Sequence, residues 1–293
     1  MLRMIKNLLP ACYLLVISMF FSCVAPIDIN TRDSEPVIVI YGCLTDELTN
    51  QYIRITRSSP YFHDETNPAV TGAKVSVTSS AGREYTFLSD KDGYYYSQRR
   101  FSVVPGTTYR LSVEVDGEFY QAETTTFPIV PADSIDINLL DIMGFNHYSL
   151  NIYMQEPYEA ANFYLFKFII NDSISNDRVS EFIISDDIMF NGEYMNGASV
   201  FLFEDATDPD LQELNKNNDI DFGYWVSPGD RIRLQILNIE KGYFKFIQEC
   251  MNEKHGENPF FGGPPSNITT NLSNGAIGYF SSFCIQEKEA VFP

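Results

Sequence analysis

The sequence is short of basic residues and of histidine. It has 20 Lys and Arg against 39 Asp and Glu, which gives a formal net charge of −19. A surface this acidic repels phosphate backbones, so the composition argues against nucleic-acid binding. The three histidines, His63, His147 and His255, lie in polar, loop-like stretches, and no Gly-x-Ser-x-Gly motif is present. We therefore expect surface histidines rather than a catalytic triad.

Long apolar runs are scarce as well. The run Leu8–Phe21 has 14 residues and contains Pro10, whereas a membrane-spanning helix needs about 20 apolar residues. A short basic start before this run and the small Ser22 after it are typical of a secretory signal peptide. We therefore predict a signal peptide over residues 1–22.

The end of this segment indicates a lipid anchor. Residues 20–23 (FFSC) resemble a bacterial lipobox, with Phe in place of the usual Leu. We predict that Cys23 is lipidated, because several acyl chains together anchor a protein stably where one does not. The alternative is an ordinary signal peptide with a chance cysteine. Residues 23–36 are polar and acidic and predict a tether; acidic residues here resemble the surface-export signals of Bacteroidota lipoproteins.

Cysteine is rare in the predicted mature chain. Beyond Cys23, only Cys43, Cys250 and Cys284 remain. An exported protein meets an oxidising compartment, so one disulfide can form, and Cys250 with Cys284 is the more plausible pair. Three separate buried thiols are an equally weighted alternative. The absence of a Cys-x-x-Cys motif disfavours a zinc site.

From Val37 onward the apolar residues follow the two-residue period of β-strands. Seven short alternating segments, separated by turn pairs such as Asp92-Gly93 and Asp116-Gly117, predict a β-sandwich over residues 37–127. A proline-bracketed linker, Phe127–Pro131, precedes further alternating segments. We therefore predict a mainly β protein, in which residues 128–293 form a larger antiparallel β domain. Residues 239–252 carry apolar side chains at helical spacing and predict one amphipathic helix.

Three motifs in the first unit resemble those of carboxypeptidase-regulatory-like (transthyretin-like, Ig-like) sandwiches. They are Gly72–Val75 (GAKV), Asp90–Tyr95 (DKDGYY) and Pro105–Leu111 (PGTTYRL). Such modules recur in bacterial surface proteins and in TonB-dependent receptors, mostly as structural or binding modules. The resemblance therefore implies a protein that is not an enzyme.

A resemblance over nearly the whole mature chain rests on motifs in the second unit. These are Ser185–Gly192 (SDDIMFNG), Asn258–Phe260, Ile268–Asn271 and Asn274–Phe280 (NGAIGYF). Their order is similar to a Bacteroidota lipoprotein family known only as domain-of-unknown-function family 4249. The resemblance implies a lipid-anchored outer-membrane protein that assists a TonB-dependent receptor in nutrient capture or uptake. It brings no catalytic residues and no cofactor.

Other readings remain open at this point. One is a structural or assembly lipoprotein of the cell envelope without a small-molecule ligand, and a more remote one is a hydrolase with an unrecognised pair of carboxylates. Asp219 and Asp221, in an acidic loop, are weak calcium candidates whose alternative is a solvated acidic loop. Phe260 and Phe261 predict either an exposed aromatic partner loop or two rings folded back into the core.

Two Asp-Ser-apolar triplets, at Ser134 and Ser173, fit the pattern of Bacteroidota O-glycosylation. If these serines are modified, the intact mass of the native protein should exceed the mass of the unmodified lipoprotein by whole sugar units. Mass spectrometry of the purified protein checks this, with a Ser134→Ala and Ser173→Ala double variant as control. A native mass equal to that of the unmodified lipoprotein contradicts the prediction.

Overall fold

The computed structural model describes residues 36–58, 67–142, 145–158, 161–174, 176, 178–209, 211–213, 224–255 and 268–293. As predicted, these residues are mainly β-strand. They form two β-sandwiches with a helix packed between them. The predicted signal peptide, Cys23 and the tether as far as residue 35 lie outside the described residues. So do Asp219, Asp221, Phe260 and Phe261.

The first sandwich contains the seven strands expected between residues 37 and 127. They are β1 (Ile38–Thr45), β2 (Tyr52–Arg57), β3 (Lys74–Ser79), β4 (Glu84–Ser89), β5 (Tyr94–Ser97), β6 (Thr108–Val115) and β7 (Glu118–Thr125). An eighth strand, β16 (Ile277–Phe283), joins them, and the order in the sheet is β16-β1-β2-β5-β4-β3-β6-β7. The two edge strands of this sheet, β16 and β7, come close together, since the Ser282 backbone N–H donates to Thr124 Oγ1 at 3.1 Å. The sheet therefore folds over a single core.

The core of this sandwich follows from the alternation in its strands. In β6, Tyr109, Leu111, Val113 and Val115 are buried while the residues between them are not. Because successive side chains point to opposite faces of a strand, one face of β6 lies in the core and the other faces water. The same alternation in β1 places Ile38, Ile40 and Leu44 in this core, and their partners on the other strands complete it.

The position of β16 differs from the predicted domain boundary, which left residues 277–283 in the second unit. The structure pairs this strand parallel to β1, with Gly278 opposite Ile40 and Phe280 opposite Gly42. A parallel partner is reached through a long crossover rather than a local hairpin. The sequence analysis assigned no strand to these residues. Most of β16 is buried without alternation, so the local pattern contained no signal for the strand or for its partner.

The second sandwich is made of two sheets. One has the order β14-β13-β9-β8, and the other β11-β10-β15-β17 with β12 beside β10. The strands are β8 (Ala132–Ile142), β9 (Phe145–Gln155), β10 (Phe163–Ile170), β11 (Ser173–Ile174), β12 (Ile183–Asp186), β13 (Tyr194–Asp205), β14 (Trp225–Val226), β15 (Arg231–Asn238) and β17 (Ile285–Val291). Their facing apolar residues, including Ile152, Phe168 and Leu234, form a second core.

The predicted helix is present as α1 (Lys241–His255). A short 3₁₀ helix, Val179–Glu181, lies against it. Tyr243 and Ile247 are buried in a third core, to which Leu165 of the second sandwich and Tyr279 of β16 also belong. Since this core takes side chains from the helix and from both sandwiches, α1 holds the two sandwiches together.

Gly278 should be the most demanding glycine of the closing NGAIGYF stretch. Its φ is +106°, and a Cβ built there would lie 2.1 Å from the Ile40 carbonyl oxygen. We expect Gly278→Ala to cost about 3 kcal/mol or more, because strain and a backbone clash add. That corresponds to a fall in Tm of about 6 °C or more, which thermal unfolding of the purified protein measures.

Gly275→Ala is the matched control in the same stretch. Gly275 has φ +72° but no atom within 4 Å of a Cβ, so its replacement should cost only the roughly 1–2 kcal/mol of a left-handed backbone. Equal losses of stability at the two positions would show that a Cβ at position 278 does not clash with the Ile40 carbonyl oxygen, and the prediction would be wrong.

Candidate functional site

A small cavity lies between the two sheets of the second sandwich. Its volume is about 190 Å³, and its walls come from β9, β10, β12 and β13. Ile152, Met154, Phe166 and Met195 make most of the wall apolar. The Ser185–Gly192 stretch singled out in the sequence borders it, because Ser185, Asp186, Asp187 and Phe190 belong to the lining. Its volume is below the roughly 300–1,000 Å³ that is usual for ligand sites, so the polar groups and the turn beside it are of more interest than the cavity itself.

Polar side chains converge at one side of this cavity. Glu156 is buried, and its carboxylate accepts hydrogen bonds from the Tyr164 hydroxyl at 2.5 Å and from Asn162 Nδ2 at 2.7 Å. The Asn162 backbone N–H donates to Asp187 Oδ2 at 2.8 Å, and Asp187 is buried as well. The network therefore joins the segment after β9 to the turn after β12.

Burial alters the acid–base properties of these groups. It raises the pKa of the Glu156 carboxyl, and the hydrogen bonds from Tyr164 and Asn162 lower it in part. Burial, and then the neighbouring Glu156, raises the pKa of the Tyr164 phenol well above its usual range. Each group is the hydrogen-bond partner of the other, so the pair serves to hold the segment in place.

The turn above this network presents apolar side chains to solvent. Ile188 and Met189 are 80% and 81% exposed, and Tyr158 is 80% exposed. Tyr158 lies against Gly192, where a Cβ would come within 2.8 Å of Tyr158 Cδ2. We call Tyr158, Ile188 and Met189 the apolar turn. Single exposed apolar residues are ordinary, but here two large ones follow each other on the turn and a third lies beside Gly192 at its end, which makes the turn a candidate interaction surface.

Hydrogen bonds within the turn make its backbone rigid. The Phe190 N–H donates to the Asp187 carbonyl at 2.9 Å, and the Glu193 N–H donates to the Phe190 carbonyl at 2.7 Å. The Glu156 N–H in turn donates to the Glu193 carbonyl at 3.0 Å. The apolar turn thus stands on a connected, partly buried polar scaffold. A rigid apolar surface loses little conformational entropy when a partner covers it.

The structure does not contain the predicted Cys250–Cys284 disulfide. Cys43, Cys250 and Cys284 are present as thiols, so of the two alternatives the structure has separate thiols. Cys284 is buried where β16 gives way to β17, and its thiol contacts Asp46. Burial, together with Asp46, raises the pKa of Cys284 to about 12, which makes its thiol unreactive.

Ser134 and Ser173 are both exposed, on β8 and β11, and their modification stays a prediction. Within the described ranges, no three Asp, Glu, His or Cys side chains cluster as metal ligands would. The described part of the chain also contains no helix long and apolar enough to cross a membrane. Of the predicted site residues that the structure describes, none lines the cavity.

His147 was predicted to be a surface residue, and this was wrong. Its side chain is only 13% exposed, and Nδ1 lies 2.7 Å from Oε1 of buried Glu204. Burial raises the pKa of the Glu204 carboxyl, and His147 lowers it in part. His147 and Glu204 come from neighbouring strands, β9 and β13, and line neither this cavity nor the groove described below. The pair therefore links two neighbouring strands of the sheet and has a structural role.

Two β-sandwiches, joined by a shared helical core and bearing an exposed apolar turn, define this as a mainly β protein. Its family is established by sequence. The profile of the family described as "Domain of unknown function (DUF4249)" matches residues 24–289, so the chain belongs to that family. No curated protein matches it.

Two solved structures show a weak overall similarity. One is a two-domain fibronectin type-III segment from chicken tenascin, with 9% identity and a TM-score of 0.20, covering 69% of this chain and 90% of that one. The other is bovine butyrophilin, with 11% identity and a TM-score of 0.21, covering 87% of this chain and 99% of that one. At these TM-scores neither similarity bears on function.

Tyr164→Phe should destabilise the protein in a pH-dependent way. It removes a donor from Glu156 and leaves a buried carboxylate oxygen unpaired, which costs about 1–3 kcal/mol. Because the folded-state pKa of Glu156 is raised, stability is highest below the unfolded pKa and falls as the pH rises through the folded pKa. Losing the tyrosine raises that pKa further, so the loss should be larger at pH 7.5 than at pH 4.5.

Denaturant unfolding at the two pH values measures this difference. Tyr194→Phe is the control, because the Tyr194 hydroxyl donates to exposed Asp133 at 3.0 Å and its removal should change little. An equal loss of stability for Tyr164→Phe at both pH values would mean that the hydrogen bond to Glu156 does not depend on carboxylate charge.

Proposed function

We propose that this protein is a non-catalytic, lipid-anchored accessory of a TonB-dependent receptor in the outer membrane of a Bacteroidota bacterium, acting in nutrient capture or uptake. The observation that carries the proposal is the rigid, exposed apolar turn formed by Tyr158, Ile188 and Met189. It gives the protein a surface suited to another protein. The proposed membrane anchor, Cys23, lies before the family match and outside the described residues.

The chemistry of the apolar turn supports a protein partner. Burying an Ile or Met side chain contributes about 1.5–3 kcal/mol, and the centres of protein interfaces are enriched in aromatic residues and methionine. The acidic residues elsewhere on the surface keep the protein soluble and oppose non-specific association. The apolar turn differs from this acidic surface, and buried hydrogen bonds hold it in place. Both properties are expected of a specific contact site.

Anchoring supports a partner in the same membrane. A tether of residues 23–36 can span at most about 50 Å when fully extended. Restricting two proteins to one membrane within that reach raises their effective concentration, so that a modest contact area is sufficient for association. The proposed receptor-like subtype of the first sandwich, supported by the Asp90–Tyr95 and Pro105–Leu111 motifs, agrees with a role beside such receptors.

Charge introduced on the apolar turn should abolish the partnership. We expect a double variant, Ile188→Asp with Met189→Asp, to reduce the amount of co-purified receptor at least tenfold, because about 1.4 kcal/mol of lost contact already gives that factor. The measurement is quantitative mass spectrometry after purifying the tagged protein from outer membranes in mild detergent. Both side chains point to solvent, so folding should be unaffected, and thermal unfolding checks this.

Phe119→Asp is the matched control, since Phe119 is 60% exposed on the first sandwich and lies outside the apolar turn. It should leave the receptor yield unchanged. If the unmodified protein purifies alone or only with non-transport envelope proteins, the accessory function is wrong and the structural or assembly function takes its place. If the double variant and the control co-purify equal amounts of receptor, the receptor does not contact the apolar turn.

A further inference from the structure

A second surface, on the first sandwich, is a groove of about 700 Å³. It lies between the turn from β3 to β4 and the segment from β5 to β6. Three arginines line it, Arg83, Arg99 and Arg100, with Glu84 as the one acidic residue of the lining. Its volume falls in the range of roughly 300–1,000 Å³ that is usual for ligand sites. The groove is therefore a positively charged concavity on a strongly acidic protein.

The arginines of the groove differ from the others that the structure describes. Five of those others form ion pairs with Asp or Glu, namely Arg57, Arg110, Arg178, Arg231 and Arg233. Arg54 lies over the ring of Tyr94 instead. Within the described ranges, the three arginines with neither an ion pair nor a ring contact all line this groove. With 39 acidic residues in the chain, carboxylates that could pair with them are plentiful, so the exception calls for an external partner.

The rest of the lining is apolar or aromatic. Leu48 and Val104 are 70% and 55% exposed at the groove. Tyr85 and Phe101 stack with their ring centroids 3.8 Å apart and form part of its floor. Phe101 is itself held by its backbone N–H, which donates to the Thr49 carbonyl at 3.0 Å. A ligand that fits must therefore combine negative groups with apolar ones.

The net charge of the protein restricts the ligand further. A polyanion such as nucleic acid, or an anionic bilayer, would be repelled by a chain of net charge −19. A short ligand with two or three carboxylates is repelled far less, because the acidic residues beyond about 8 Å are screened at physiological ionic strength. At close range, guanidinium groups bind carboxylates through paired hydrogen bonds.

We propose that this groove binds a short acidic peptide segment, whose carboxylates pair with Arg83, Arg99 and Arg100 and whose apolar side chains contact Leu48, Val104 and the Tyr85–Phe101 floor. The inference does not depend on the proposed receptor partnership. The apolar turn belongs to the second sandwich, and peptide binding can be measured with the purified protein alone.

Fluorescence anisotropy of a rhodamine-labelled hexapeptide of alternating aspartate and leucine tests this with the full lipidated protein in detergent. The triple variant Arg83→Gln, Arg99→Gln, Arg100→Gln should weaken binding about 10- to 100-fold, because it removes all three guanidinium–carboxylate contacts. A control triple variant, Arg57→Gln, Arg178→Gln, Arg231→Gln, makes the same change of charge at ion-paired positions. It should weaken binding less than twofold.

Two further measurements test whether binding requires the carboxylates of the peptide and whether the groove binds a peptide or a membrane surface. The same peptide with asparagine in place of aspartate should not bind. Equal affinities of the two triple variants for the acidic peptide, or no binding by the unmodified protein, would overturn the proposal. So would arginine-dependent binding to phosphatidylglycerol vesicles without binding to the peptide, because the groove would then recognise a lipid surface. Unchanged Tm values for both triple variants show that the differences are not caused by unfolding.

Discussion

One continuous segment near the end of the chain provides a strand to each sandwich, and the rest of the structure depends on it. Its first part, β16, pairs parallel to β1, and after Cys284 its second part, β17, pairs antiparallel to β15. A one-residue slip of β16 would turn its side chains to the opposite face and would shift the start of β17 with it. The close approach of Gly278 to the Ile40 carbonyl opposes such a slip, because only a residue without a Cβ fits there.

The junction between the sandwiches adds a second constraint, made by buried polar groups. The hydroxyls of Tyr41 and Tyr243 are 2.6 Å apart, and Cys43 Sγ lies 3.4 Å from the Tyr243 hydroxyl. Burial raises the pKa of both phenols, so both stay neutral and can donate. Hydrogen bonds in a buried environment demand good geometry, since an unpaired partner is costly there. The helix α1 therefore joins β1 in a defined position and not merely as an apolar cover.

The sequence predicted what depends on near neighbours and missed what depends on distant ones. The first seven strands and α1 were predictable because alternation and helical spacing are local patterns. The place of β16 was not, since its partner β1 lies more than 200 residues earlier. His147 was misjudged for the same reason, because its partner Glu204 lies on another strand, 57 residues further along the chain. The motif Ser185–Gly192 could be singled out, but its support by Glu156 and Tyr164 requires three segments to meet.

Stability alone does not account for the two surfaces proposed for binding. The apolar side chains of the turn could be polar, and the arginines of the groove could be ion-paired or neutral, without disturbing any core residue. Exposed apolar groups favour aggregation, and surface charges contribute little to folding. Both features are nevertheless built on well-ordered scaffolds, one on a buried polar network and the other on stacked aromatic rings. Such a combination of ordered support and unsatisfied surface is expected where a partner completes the contacts, and it is the reason why we propose both surfaces as binding surfaces.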